Sequence, residues 1–195
     1  PLDRASTTFT NTYASEVNYP VAAASLSVQK TLKGHAMTDG QFEFTVTPDD
    51  EASAKKVDLW QDDAIQSATG SWGAAEDGQA VTTSIDWNLT FNQADSGKTY
   101  TYTFAEVVPE DVPAGYSYDG TTYTVAITPT DNQDGTMSVT TVVTTTPAEG
   151  EATETTYTYS ATDAKDDIVL PFVNTYGTDA TTGDVAADID ATKTL

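Results

Sequence analysis

Tyr100-Thr101-Tyr102-Thr103-Phe104-Ala105-Glu106-Val107-Val108 opens as a strict alternation of aromatic residues with threonine, and its period assigns the fold class. Tyr100, Tyr102, Phe104, Glu106 and Val108 share one face, opposite Thr101 and Thr103. A period of two is the mark of a strand with one buried face, and Tyr, Thr and Val suit a pleated surface. The pattern repeats outward in both directions. Leu26, Val28, Lys30 and Leu32 fall opposite Ser27, Gln29 and Thr31, and Phe42, Phe44 and Val46 alternate with Gln41, Glu43 and Thr45. Tyr123, Val125 and Ile127 make another strand, Met137, Val139 and Val143 the next, and Ile168, Leu170, Phe172, Asn174 and Tyr176 the last. Thr38-Asp39-Gly40, Asp119-Gly120 and Asp134-Gly135 supply turns, because Gly and Asp tolerate positive φ. A short helix is predicted near Asp49–Lys56, capped by Asp50 with Glu51 early in it. Gln61–Gln79, rich in Ala, Ser and Gly, reads as irregular. Many short strands with little helix predict an all-β fold, an antiparallel β-sandwich.

Length and charge narrow the function. The 195 residues suffice for one domain with a real core. A split into two small sandwiches at the Pro109–Gly115 break is the alternative. Thirty acidic residues against eight basic ones give a net charge of −22, a surface unsuited to nucleic acid or anionic membrane, whose phosphates need Lys and Arg. Solubility and self-repulsion explain the charge. No segment reaches the ~18 consecutive apolar residues of a membrane-spanning helix, so membrane insertion of this segment is not expected. Cysteine is absent, so an extracellular domain built from this chain needs some staple other than a disulfide.

Three polar side chains stand where the alternation calls for apolar ones: Lys30, Glu106 and Asn174. Each is flanked two residues away by inward-facing neighbours: Val28 and Leu32, Phe104 and Val108, Phe172 and Tyr176. Burying an unpaired charge is costly, so mutual satisfaction in one site is the economical explanation. Desolvation lowers a lysine pKa and raises a glutamate pKa. Lys30 then becomes a neutral amine nucleophile, and Glu106 a neutral acid hydrogen-bonded to the Asn174 carboxamide. The acid polarises the amide carbonyl and shuttles protons while the amine attacks the side-chain carbon. Ammonia leaves, and an isopeptide bond joins Lys30 to Asn174 in a single turnover driven by proximity. Two plainer readings stand beside this one: an ordinary buried Lys30–Glu106 ion pair, or a Lys30 that snorkels out at a sheet edge. Alternation alone favours the plainer readings.

A recurrence shifts the balance. Phe172-Val173-Asn174-Thr175-Tyr176 repeats Phe9-Thr10-Asn11-Thr12-Tyr13, and Ala191-Thr192-Lys193-Thr194-Leu195 echoes Val28-Gln29-Lys30-Thr31-Leu32. Asn11 to Asn174 and Lys30 to Lys193 are both 163 residues, so two motifs share one period. The chain therefore reads as slightly more than one unit of a tandem array. Residues 1–14 end the preceding repeat, 15–24 are a linker, 25–177 are the sandwich, and 178–195 are a linker and the start of the next repeat. Asn11 and Lys193 are the neighbouring repeats' equivalents of Asn174 and Lys30.

Five stretches in order carry a family resemblance: Leu26–Gly34 (LSVQKTLKG), Gln41–Thr47 (QFEFTVT), Tyr100–Pro109 (YTYTFAEVVP), Tyr118–Ile127 (YDGTTYTVAI) and Phe172–Tyr176 (FVNTY). Together they resemble streptococcal pilin isopeptide-linkage domains, relatives of the collagen-adhesin B-type repeats of Gram-positive surface proteins. The resemblance implies an immunoglobulin-like sandwich with a Lys–Asn bond between first and last strands. Lys30 is then the bonded lysine, Asn174 its partner and Glu106 the catalytic acid. Lys33 is the weaker candidate, since its parity puts it on the other face. The resemblance also implies an extracellular, cell-wall-anchored protein, whose partners are adjacent repeats and, through other domains, host surface ligands. One departure favours a stalk repeat over a pilus backbone. Pilin subunits joined by sortase carry a Tyr-Pro-Lys type motif, and here Tyr19-Pro20 is followed by Val21.

Other signals are weaker. Asp131-Asn132-Gln133-Asp134-Gly135 is similar to part of a calcium loop but lacks the distal glutamate, and a hairpin turn explains it. Asp163, Asp166 and Asp167 lack the spacing of a calcium site, and the lone His35 cannot build a zinc site. No metal or cofactor is expected. Trp60, Trp72 and Trp87 suit either a carbohydrate-stacking surface or core anchors. A ligand-binding adhesin tip using Gln61–Gln79 is the alternative function. A hydrolase with paired carboxylates finds its acids scattered over turns.

Overall fold

In a computed structural model, residues 10–19, 25–87, 89–160 and 167–177 are described. They form fourteen strands: β1 (Glu16–Tyr19), β2 (Leu26–Lys33), β3 (Glu43–Pro48), β4 (Trp60–Gln61), β5 (Ala64–Ile65), β6 (Ala68–Ser71), β7 (Ala80–Ser84), β8 (Leu89–Asn92), β9 (Tyr100–Glu106), β10 (Tyr116–Ser117), β11 (Thr122–Asp131), β12 (Met137–Thr146), β13 (Thr153–Ser160) and β14 (Ile168–Tyr176). The helix α1 (Glu51–Lys56) follows β3, and the Asp50 side chain accepts from the Ser53 N–H at its start, as expected of that cap.

Two sheets carry the core. One runs β10-β14-β2-β7, the other β13-β12-β11-β9-β3-β6, and β1-β8 and β4-β5 form small ribbons. Their buried faces meet in a single cluster, with Tyr123 of the second sheet edge-on to Phe172 of the first at 5.1 Å. This is the all-β sandwich expected, without a split at Pro109–Gly115: β9 and β11, on either side of that stretch, pair directly. The pairing is antiparallel throughout with one exception. β14 and β2 lie side by side in parallel, Phe172 opposite Lys30 and Asn174 opposite Leu32. The chain crosses the whole sandwich between them, and that crossing brings its two ends into one ladder.

Gly34 holds the end of this ladder. Its φ is +93°, and a Cβ there would lie 2.1 Å from the Tyr176 carbonyl oxygen. Only glycine lets β14 finish so close against the turn that leaves β2.

Four expectations need correction. The linker placed over 15–24 contains β1, which pairs with β8 and buries Val17 and Tyr19 in the core; a four-residue alternation is too short to stand out in the sequence. The irregular Gln61–Gln79 stretch holds part of β4, all of β5 and β6, and Trp72. β6 adds an edge strand beside β3, and Trp72 is 1% exposed. Val108, assigned to the inward face of β9, lies beyond the strand's end and is 48% exposed. The sequence expectation also lacks β7, β8 and β13: β7 buries no residue fully and β13 only Tyr159, and β8 is only four residues long.

Candidate functional site

Lys30, Glu106 and Asn174 are brought together. Lys30 and Asn174 project inward from adjacent parallel strands, two residues apart in register, which is within reach of a long side chain. Glu106 ends β9 in the facing sheet and reaches across the core, paired in its own sheet with Phe44. Lys30 and Asn174 are 0% exposed and Glu106 is 8% exposed. Lys30 Nζ lies 2.5 Å from Glu106 Oε1, and Asn174 Nδ2 donates to the same oxygen at 2.8 Å. Lys30 does not snorkel: its ammonium end lies over the Phe42 ring at 4.9 Å and near Trp72 at 5.4 Å.

Electrostatics push this pair toward neutrality. Burial drives the Lys30 pKa down, against the pull of the Glu106 charge, and the net shift is downward. Burial likewise drives Glu106 up, opposed by Lys30 and the Asn174 amide, and the net shift is upward. Glu106 Oε2 is buried without a hydrogen-bond partner among the described residues. A full carboxylate charge there would be poorly solvated; a proton shared between Oε1 and the amine relieves it.

One detail differs from the sequence reading, in which Glu106 polarises the amide carbonyl. The Asn174 nitrogen, not its oxygen, faces Glu106. Asn174 Oδ1 accepts from the backbone N–H of Asp119 at 2.7 Å. A backbone N–H only donates, so it selects the oxygen and leaves the nitrogen for Glu106. In the sequence Asp119 signals only a turn. Its side chain accepts from Thr121 N at 2.9 Å and Val173 N at 2.7 Å. β10 pairs with β14 only at Tyr176 and Thr175, and Asp119 takes up the N–H of Val173 just beyond that pairing. The Asp-Gly dipeptide was the visible signal, but its contact lies more than fifty residues away.

The chain from 26 to 177 matches the model of the FctA family, described as the Spy0128-like isopeptide-containing domain. The chain belongs to this family. A search of curated proteins found no match. As a Spy0128-like domain, the chain is a structural, pilin-type surface domain of the isopeptide-containing kind and not a member of an enzyme family.

The remaining candidates fall elsewhere in this Spy0128-like domain. Lys33 is exposed, on the opposite face from Lys30. Asn11 is exposed ahead of β1, and Lys193 lies outside the described residues, as do Asp163 and Asp166. Asp167 accepts from the N–H and hydroxyl of Ser25. Asp131 and Asp134 satisfy their own turn, accepting from Gln133 N and Thr136 N, and no group of three or more candidate metal ligands occurs among the described residues. No helix among them is long and apolar enough to cross a membrane. Trp72 donates to the Val28 carbonyl at 3.2 Å and Trp87 packs on Tyr102 and Phe104, so both anchor the interior. His35 packs edge-on to Tyr176. Outside the site Lys56 pairs with Asp95 at 2.8 Å, a contact that no strand period signals; Asp95 additionally accepts from Tyr100 and clamps α1 to the turn after β8.

Proposed function

We propose that this domain is a stalk repeat of a cell-wall-anchored bacterial surface protein or adhesin, closed by an autocatalytic isopeptide bond between Lys30 and Asn174. The observation that carries the reading is the shared contact of amine and carboxamide nitrogen on one buried oxygen of Glu106. Lys30 supplies the attacking amine and Asn174 the carbon attacked. Glu106 takes the proton from the amine and returns one to the departing nitrogen, so that ammonia leaves. The closed loop, residues 30 to 174, is worth roughly 5 kcal/mol by the loop-entropy relation for crosslinks. No reductant opens it.

Repetition supports a spacer over a ligand-binding tip. Tyr13 and the β1 strand dock onto the domain. The Tyr13 hydroxyl donates to Asp131 at 2.6 Å and accepts from Gly135 N at 3.1 Å, ahead of β1 on β8. By the 163-residue period Tyr13 is the counterpart of Tyr176, the last residue of β14. The preceding repeat thus runs within a few residues into contacts with this one, which favours a stiff junction. In a two-repeat protein with a dye pair across the junction, wild type is expected to give one narrow distance distribution. Tyr13→Phe combined with Asp131→Ala should broaden it, and an equally broad wild type would contradict a rigid spacer.

A further inference from the structure

We infer that the backbone N–H of Asp119 is the oxyanion donor for the crosslinking reaction, aimed by the Asp119 side chain. This deepens the isopeptide reading above and rests on it. Attack of Lys30 Nζ on Asn174 Cγ moves the carbonyl electron pair onto Oδ1. The negative charge gathers there before the C–N bond breaks and ammonia departs with the proton from Glu106. Glu106 faces the nitrogen, so it does not stabilise that oxygen. The Asp119 N–H already points at Oδ1 from 2.7 Å, the range in which such donors act.

The donor is held rather than incidental. Asp119 Oδ2 is tied to Val173 N, one residue from the reacting asparagine, and Oδ1 to Thr121 N. One of these hydrogen bonds ties the loop between β10 and β11 to the backbone of β14, and the other closes the loop on itself. The same contacts fix which end of the carboxamide meets the acid. Burial raises the Asp119 pKa, but the hydrogen bonds from Thr121 and Val173 and the Lys30 charge outweigh it and hold the carboxyl below the usual range. The anchor stays ionised as the acceptor its two donors require.

The test is the rate of ammonia loss, followed by intact mass in denaturant-quenched samples during cell-free synthesis of the whole chain. Replacing the Tyr118–Asp119 peptide bond by an ester deletes this N–H and keeps the side chain. The ester is expected to slow crosslinking on the order of 100-fold, the usual loss for one oxyanion donor. An ester at the Gly120–Thr121 bond, which deletes a purely structural donor, should slow it only a few-fold. Asp119→Asn and Asp119→Ala keep the N–H but loosen its aim, and should fall between, with Ala slower than Asn. Crosslinking of the 119 ester at the wild-type rate, or equal slowing by both esters, overturns the donor role. Wild-type rates in Asp119→Ala overturn the positioning role, even if the 119 ester fails to fold. A wild-type chain that never loses ammonia refutes the isopeptide reading itself, a separate outcome.

Discussion

Pulled from residues 25 and 177, the wild-type domain is expected to show no unfolding step, whereas Lys30→Met lengthens in one event by about 500 Å. The difference follows from where the proposed bond would lie. β2 opens the matched domain and β14 closes it, and the two are neighbours in one ladder. A covalent tie between Lys30 and Asn174 passes tension from one strand to the other, and residues 31–173 never feel it. With the nucleophile removed, the ladders and core packing of β2 and β14 alone resist, and once they yield the loop between residues 30 and 174 extends at roughly 3.3–3.6 Å per residue. Methionine is the right replacement because it fills the pocket beneath Phe42 and Trp72 without an amine. A long step in the wild-type trace would mean that the tie is absent or that force bypasses it.

Glu106→Ala is expected to retain both of its nitrogens and to lose most of the domain's stability. Without the acid no proton reaches the leaving nitrogen, so the roughly 5 kcal/mol of loop constraint is never gained. Lys30, fully buried, is also left without its partner, and breaking a buried pair costs about 3–5 kcal/mol. Together these approach the whole stability of an ordinary domain, about 5–15 kcal/mol. Glu106→Gln separates the two effects, since it keeps a hydrogen-bonding side chain of the same shape and loses only the proton shuttle. Urea denaturation should therefore rank wild type above Glu106→Gln, and Glu106→Gln above Glu106→Ala. A Glu106→Gln midpoint equal to wild type, with the bond formed, would remove Glu106 from the chemistry.

The two effects draw on information that the sequence displays unequally. Strand faces are legible where large inward residues alternate with polar outward ones, as along β9, and Lys30, Glu106 and Asn174 stand out as breaks in the inward series. Their meeting was not legible from alternation, since it depends on β14 lying parallel to β2 after a crossover of more than a hundred residues. The orientation of the Asn174 amide was hidden for the same reason: a backbone N–H in a remote loop decides it. Asp119 announces only a turn, because an Asp-Gly pair looks alike whether its carboxylate faces solvent or a neighbouring strand. β1 escaped notice for a different cause. Four residues satisfy too few positions of any period, and it is the pairing with β8 that gives them a buried face.

The most direct measurement of the central claim is the intact mass of the purified, denatured wild-type chain beside Lys30→Ala and Glu106→Ala, followed by peptide mapping. The bond predicts a wild-type mass short by one ammonia, a branched peptide joining the segments of Lys30 and Asn174, and full calculated mass in both variants. A wild-type chain at full mass would contradict the account and leave the three residues an ordinary buried polar cluster.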